Sequence, residues 1–515
     1  MGPFMETEIE LKFFVSSDFS RQIRDKITDL KVLQQRQRQL GNIYYDTSDF
    51  LLRQYDIGLR VRRYDDVYVQ TLKTAGRVVA GLHQRPEYNA ELDSPTPDLS
   101  LIPADAWPAG LDVEALSAQL NPLFSTDFER QQWLIAMPDS SQVELAFDSG
   151  EVTTDAGGYD PICEVEIELK SGQTDALFVL ARELAENGGL RLGNLSKAAR
   201  GYRLSTDYQG DAVKALSVVP VSSQLSTEQA FVKVLEHALE HWHYHEQIYV
   251  ERPEQEAIFE ICNAVSLIRQ ALTLYGGLIP RRASALLRQE LQWLEGELSW
   301  IFESRAIERL CEDKGYFLRK LNTQKQLRKK LEARYEALPE RSEVLELFQS
   351  ARYCNLLLDL SRWILTRGWQ PFLDDKSREK LAEPIRAFAN RSLAQSWEEL
   401  LSVFAVNNDM DRFGYLDQLP RLTKNLLSGC CVASLYDVEE RETFRLPWLD
   451  LLQGLEDIVL LEPIRAFVND EDIDEEDRAQ IEKWLRRKEE SLLHAMMQSR
   501  QIGLSLDPYW DIYFE

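Results

Sequence analysis

Cysteine is scarce: six are spread over 515 residues, and no two form a CxxC pair. That excludes a disulfide framework and leaves no thiolate spacing for a zinc site. Cys430 and Cys431, adjacent in the chain, read as core residues. Histidine is equally scarce, with six. His237, His241 and His245 are spaced to stack along a helix, but no cysteine or acidic pattern completes a metal site. They are expected to pack with Trp242 and Tyr244. Long apolar runs are missing, and no charged-then-apolar leader opens the chain. MGPF, residues 1–4, reads as a cloning remnant ahead of Met5. Together these features predict a reduced, cytoplasmic protein with no membrane partner. Basic residues are outnumbered, 59 against 85, for a formal charge of −26. Such a surface repels nucleic acid, so no nucleic-acid partner is expected, and a polyanion would need a focused pocket.

What is present changes character part-way along. Up to about residue 205, short segments rich in β-branched and aromatic residues are separated by Gly, Pro, Asp and Ser clusters. They are ETEIELKFF, GNIYYDT, GLRVRRY, VYVQTLKTAG, HQRPEYNAELD, DFERQQWLIAM, QVELAFDSGEVT and CEVEIELK. Eight sequential strands predict an antiparallel barrel, with helices at 18–32 and 174–187 against its exterior. From Ser226 onward, apolar residues recur at helical spacing, as in EQAFVKVLEHALEHWHYHEQIYV and ASALLRQELQWLEGELSWIF. The expected architecture is therefore a two-domain α+β protein: a barrel over 5–204, a linker over 205–225, and an all-α bundle over 226–515. NDEDIDEED, 469–477, reads as an exposed acidic connection.

The strands share an unusual pattern. In a strand, successive side chains point to opposite faces. Glu8, Glu10 and Lys12 therefore oppose Ile9, Leu11 and Phe13. Arg60 and Arg62 share a face, as do Thr71 and Lys73, and as do His83, Arg85 and Glu87. Arg130 lies between Phe128 and Gln132 on its face. Glu144 and Asp148 oppose Val143, Leu145 and Phe147, and Glu164, Glu166 and Glu168 oppose Val165, Ile167 and Leu169. A solvated sheet face would explain any one of these. A barrel whose apolar side faces outward would instead line its interior with all of them. Unpaired charges there are prohibitively costly, so bases, acids, metal and a charged ligand must balance. Clustered carboxylates suit a hard divalent cation, Mg²⁺ or Mn²⁺. Clustered lysine and arginine suit phosphate oxygens.

Glu8-Ile9-Glu10-Leu11-Lys12 resembles the ExExK signature of the CYTH family, the triphosphate tunnel metalloenzymes. Further family features follow in order: Arg60 and Arg62, Lys73, Arg85, Arg130, the Asp148-Ser149-Gly150 strand end, the Glu164/Glu166/Glu168 strand, and SKAARGY at 196–202. The helical half resembles a CHAD domain, a module found behind CYTH in bacterial inorganic triphosphatases. The resemblance implies a closed tunnel that binds triphosphate with a divalent metal and hydrolyses inorganic triphosphate to pyrophosphate and phosphate. Thiamine triphosphatase, class IV-type adenylate cyclase and a non-catalytic polyphosphate-binding scaffold are the alternatives. Carried onto this sequence, it makes Glu8, Glu10 and Lys12 catalytic. It makes Glu8, Glu10, Asp148, Glu166 and Glu168 metal ligands, with Glu144 and Glu164 on the same faces at the expected tunnel rim. Lys12, Arg60, Arg62, Lys73, Arg85, Arg130 and Lys197 become phosphate contacts. His83 reads as structural, and Arg63 and Arg200 as exterior. Inorganic triphosphate is the expected ligand, polyphosphate a second one, and the oligomeric state is left open.

Overall fold

The computed structural model describes residues 4–64, 67–79, 81–312, 318–404, 410–468 and 473–511. Residues 1–3 of MGPF and 469–472 of the acidic stretch lie outside the described residues. The chain divides into two compact units: Met1–Asp211 with Ser342–Gly368, and Ala212–Arg341 with Trp369–Glu515.

The first unit is built on strands β1 (Phe4–Val15), β2 (Val32–Asp46), β3 (Gly58–Tyr64), β4 (Val67–Lys73), β5 (Arg77–Val79), β6 (Leu82–Leu92), β7 (Asn121–Ala136), β8 (Gln142–Thr153), β9 (Tyr159–Ser171) and β10 (Leu190–Leu192). Eight of them close an antiparallel barrel in the order β1-β9-β8-β7-β2-β3-β4-β6, with β6 pairing back to β1. β5 and β10 are short additions on β6 and β1. This is the barrel that the period-two alternation predicts. Closure leaves no free edge among the eight strands and forces every second side chain inward. The outward set carries the core: Leu11, Phe13, Val143, Leu145, Val165 and Ile167 are fully buried. Each such side chain contributes about 1.5–3 kcal/mol.

The helix Asp175–Leu184 covers β1 and β9 from outside. A second helix, Ala351–Leu365, packs against it and against β10. Arg362 grips Asp175 through Nε and Nη2 at 2.6 and 2.7 Å, and Arg182 pairs with Asp359. The Gly189 N–H donates to the Gln349 carbonyl at 2.7 Å. Helical periodicity reveals a helix at 351–365 but not which core it serves, and this one belongs to the barrel unit. β2 also differs from expectation, beginning at Val32 rather than near Gly41. Its first half, VLQQRQRQ, is polar on both faces and exposed, so it lacks the apolar alternation of a strand. Pairing with β7 along its length holds it extended.

The second unit is helical, with long helices at Thr227–Glu251, Gln255–Leu274, Ile385–Phe404, Val438–Leu460 and Glu475–Ser505. Trp242, Trp369 and Trp448 are buried in its core. Ser226 opens the first of these helices with a capping box completed by Gln229. The histidines do more than pack: His241 Nε2 lies 2.8 Å from Glu260 Oε2, and His245 Nε2 accepts from the Lys214 N–H at 3.2 Å. Cys431 is buried, Cys430 is half-buried, and all six cysteines are free. By length and composition Gln255–Gly277 could cross a membrane, contrary to the expectation that every apolar run falls short. It is 67% buried, the pattern of a core helix.

Candidate active site

The inward faces enclose a cavity of about 330 Å³. It is lined by Glu8, Glu10, Lys12, Arg60, Arg62, Lys73, Arg85, Arg130, Glu166, Glu168 and Lys197 from the expected set. Asp148 lies behind this lining, fully buried and bonded to Arg130. Strand register sets the neighbours. Glu10 and Glu144 both face Glu168, Lys12 faces Glu166, and Asp148 faces both Arg130 and Glu164. The result is two acidic clusters that differ in what balances them.

In the first cluster, Asp148, Glu164 and Glu166 offer oxygens within 4.8 Å of one another. Cations surround them. Lys12 Nζ lies 2.9 Å from Glu164 and 2.7 Å from Glu166. Lys197 Nζ reaches Asp148 at 2.6 Å and Glu166 at 2.9 Å, and also contacts Glu164. Arg130 bonds Asp148 through Nε at 2.7 Å and Nη2 at 2.6 Å, and Glu166 at 2.5 Å. Arg200 adds a longer contact to Glu164 at 3.5 Å and bonds Asp160 at 2.6 Å. Burial works against ionisation throughout, yet the pairing prevails. Lys12, Lys197 and Arg130 are held above their ordinary values by these carboxylates. Arg130 and Lys197 hold Asp148 down, and those two with Lys12 hold Glu166 well down. Two expectations are corrected here. Glu164 is fully buried rather than at the rim, and Arg200 is buried rather than exterior. Arg63 is exposed, as expected.

The second cluster, Glu8, Glu10, Glu144 and Glu168, has fewer cations. Lys73 Nζ lies 2.5 Å from Glu8 but also 3.1 Å from Glu87. Lys170 Nζ lies 2.6 Å from Glu168, and Glu144 accepts a neutral amide bond from Gln132. Burial, with repulsion from Glu8 and Glu166, pushes Glu10 up to about 8. Burial, with Glu8 and Glu144, pushes Glu168 up to about 7 despite Lys170. Hard oxygen donors carrying unbalanced negative charge fit a divalent cation. Among the described residues, the first cluster is the one whose oxygens lie within 4.8 Å of one another, as a shared ion requires, and there ammonium and guanidinium nitrogens already take them up. Of the five carboxylates expected as ligands, Glu8, Glu10 and Glu168 sit in the open cluster, and Asp148 and Glu166 in the paired one.

Opposite these acids stands a basic wall. Arg62 Nε donates to Asn42 Oδ1 at 2.8 Å, yet burial and repulsion from Arg60 and Arg130 push its guanidinium down to about 9. Arg60 keeps a buried Nε with no hydrogen-bond partner among the described residues, while, against burial, Tyr44 and Glu87 hold its guanidinium up. Both features leave room for an anion. Burial opposes the ionised form of Glu87, but Lys73 and Arg60 hold it down at about 2. Arg85 is partly turned away, 2.7 Å from Asp56 Oδ1 and 3.2 Å from the Thr74 carbonyl. Sequence reading missed Arg38, Tyr44 and Lys170, which also line the cavity. The alternating arginines of QRQRQ, Arg36 and Arg38, were the available signal for the first of these.

Lys197 enters the cavity from the helix Lys197–Ser205. Ser196 caps that helix by accepting from the Ala199 N–H at 3.1 Å, which sets where Lys197 starts. Gly201 lies against Phe124, and a Cβ there would fall 2.0 Å from the ring. Only glycine lets the helix approach the barrel closely enough for Lys197 to reach Asp148.

Residues 6–202 match the model of the CYTH domain, and residues 233–461 match that of the CHAD domain. The chain carries a CYTH domain followed by a CHAD domain. A relative described as an inorganic triphosphatase, from Haemophilus influenzae, is 39% identical over 212 residues, covering 40% of this chain. The match spans 57% of that relative's length. Among solved structures, the CHAD domain from the plant Ricinus communis is 18% identical, covering 59% of this chain and 99% of that one, with a TM-score of 0.45. A Hippeastrum adenylyl cyclase homologue described as having dominant triphosphatase activity is 19% identical, covering 34% and 83%, with a TM-score of 0.26.

Proposed function

We propose that this chain hydrolyses inorganic triphosphate to pyrophosphate and phosphate with a divalent cation, Mg²⁺ or Mn²⁺, in the cytoplasm. One observation carries this reading: a single tunnel sets carboxylates with few cationic partners against the half-buried Arg60 and Arg62. The CYTH match and the triphosphatase relative support it. Glu8, Glu10 and Glu168 hold the cation, with Glu166 bordering both clusters. When bound, the cation neutralises phosphate oxygens and acidifies a bound water. Arg60, Arg62 and Lys73 donate to the phosphate chain, with Arg85 at the mouth. Asp148, Glu164 and Glu166 fix Lys12, Arg130 and Lys197 so that their remaining N–H groups meet a terminal phosphoryl group. Glu8, Glu10 and Lys12 are catalytic because they flank the place where water attacks in line. No covalent nucleophile takes part. The catalytic unit comprises the barrel and the returning segment 342–368.

The test is phosphate release from triphosphate, ATP and thiamine triphosphate, with and without Mg²⁺ or Mn²⁺. Triphosphate should be cleaved fastest, and EDTA should abolish cleavage. Preference for either other compound would transfer the reading to a cyclase or thiamine triphosphatase. No release from any would leave a polyphosphate-binding scaffold.

For the helical unit we propose polyphosphate binding. It holds a cavity of about 630 Å³ whose lining includes Arg269, Arg281, Arg288 and Lys424. Burial, with Arg281 and Arg269 nearby, pushes Arg288 down, a strain that an entering anion relieves. Arg281→Ala with Lys424→Ala should weaken polyphosphate binding and leave triphosphate turnover unchanged.

A further inference from the structure

Among the described residues, four ring-bearing side chains line the tunnel: Tyr44, Tyr64, His83 and Phe128. Three of them are nearly closed off, with Tyr44 6%, His83 8% and Phe128 1% exposed. Tyr44 is also stacked on Phe124, their centroids 4.6 Å apart. Phe128 carries Arg130 and Lys197 at 5.7 and 5.0 Å from its centroid. Tyr64 is the ring left half-buried. It shares the face of Arg60 and Arg62 on β3 and packs against the apolar cluster that includes Leu40 and Phe128. The guanidinium carbon of Arg38 lies over the Tyr64 ring, 5.3 Å from its centroid. Arg38 is itself exposed and lines the tunnel from β2, where its partner across the ladder to β7 is Arg130. Like charges so paired repel, whereas the negative face of a phenol ring attracts a guanidinium. The ring is therefore where Arg38 settles.

We infer that Arg38 is a specificity-determining residue: by covering Tyr64 it denies this ring to the flat cation of thiamine triphosphate and keeps the tunnel for a bare phosphate chain. This rests on the triphosphate reading above. A group attached to the end of the chain has to lie where the tunnel meets solvent, and Arg38 is exposed there. A thiazolium would hold to Tyr64 by the same cation–π attraction that Arg38 already uses. Two positive charges cannot share one face, so the arginine both occupies the place and repels the competitor. Inorganic triphosphate has no ring to seat. Its negative charge gains from a guanidinium at the same position. One side chain thus favours the one ligand and opposes the other.

Calorimetric titration of the full chain with thiamine triphosphate and with inorganic triphosphate, in EDTA, compares the two affinities without turnover. The wild type should bind inorganic triphosphate more tightly. Arg38→Ala should shift the ratio of the two affinities toward thiamine triphosphate by about fivefold or more. Adding Tyr64→Leu to Arg38→Ala should remove most of that gain, because the uncovered ring is what produces it. An unchanged ratio in Arg38→Ala would overturn the assignment, and so would a gain that survives in the double variant. A wild type that binds thiamine triphosphate more tightly would overturn it together with the preference for inorganic triphosphate proposed above. A ratio that moves as expected, in a chain that releases no phosphate from triphosphate with Mg²⁺ or Mn²⁺, would uphold the role of Arg38 and overturn the hydrolytic reading alone.

Discussion

Two groups of carboxylates share one tunnel, on neighbouring layers of the same strands, and they live in opposite electrostatic conditions. Asp148, Glu164 and Glu166 meet Lys12, Arg130, Lys197 and Arg200. Glu8, Glu10, Glu144 and Glu168 meet Lys73 and Lys170, and Lys73 is shared with Glu87. In the first group Asp148 and Glu166 are held in the ionised form by their partners. In the second, Glu10 and Glu168 keep protons to unusually high pH because burial and carboxylate repulsion outweigh the few cations. A fold gains nothing from the second arrangement by itself. A saturated cluster holds shape and aims cations, whereas an unsaturated one waits for a charge supplied from outside.

Breaking the saturated side should give the largest effect. Asp148→Asn leaves Arg130 and Lys197 short of a buried partner, and removing one member of a buried ion network costs about 3–5 kcal/mol. The expected result is a large fall in melting temperature near neutral pH, with activity lost as a consequence. The pH response has a definite sign. Asp148 and Glu166 are lowered in the fold, so the stability they contribute is present above ordinary carboxylate values. It is lost as pH falls through the acid range. An Asp148→Asn protein as stable as wild type would remove the contrast between the clusters.

Breaking the open side should do the reverse. Glu10→Gln should lower turnover about 100-fold or more, by loss of a cation ligand. Metal-free stability should hold or rise. Glu10 is raised to about 8 in the fold, so its contribution is greatest below the ordinary carboxylate range and is lost as pH rises toward 8. The metal-free wild type should therefore melt lower at pH 8 than at pH 5. Glu10→Gln should reduce that difference without abolishing it, because Glu168 at about 7 adds a similar slope. A melting curve for Glu10→Gln that keeps the full wild-type pH dependence would locate the strain elsewhere.

Arg62 tests the basic wall. Pushed down to about 9 by burial, Arg60 and Arg130, it is a cation short of an anion. Arg62→Met should raise the ligand-free melting temperature and weaken triphosphate binding, the lost charge-assisted bond being worth about 1.5–3 kcal/mol. Calorimetric titration with triphosphate reads the second effect, and unchanged affinity would place Arg62 outside the ligand.

Much of this was legible because a barrel interior obeys period two. Once Glu8, Glu10 and Lys12 are known to share a face, closure brings them to Arg60, Lys73 and Glu168. The cation-to-carboxylate balance was not legible, since it depends on register. Across β7 and β8, Asp148 stands directly opposite Arg130, whereas Glu144 stands opposite Leu134 and meets only the amide of the diagonal Gln132 among the described residues. Arg38 was hidden in a strand polar on both faces. The helix Ala351–Leu365 was visible as a helix, but amphipathicity names no partner.

The smallest effect, and the finest test of the contrast, comes from Lys170. Its ammonium lies 2.6 Å from Glu168 Oε1, with both side chains partly exposed, so solvent screens the pair and its worth is about 1 kcal/mol or less. It is nevertheless a cation that lowers Glu168 against burial. Lys170→Met should lift the Glu168 carboxyl further above 7, and a protonated carboxyl is a poor ligand for a divalent cation. At fixed low Mg²⁺ the acid limb of kcat/KM should move to higher pH by less than about one unit. The alkaline plateau should stay where it was, because Glu168 is ionised there in both proteins. Raising Mg²⁺ should restore the wild-type limb by mass action, since metal and proton compete for the same oxygens. If Lys170 acted only by neutralising substrate, the variant would instead raise KM across the whole range and added Mg²⁺ would not restore the limb. An unmoved profile would take Glu168 out of the cation site and leave the open cluster to Glu8 and Glu10.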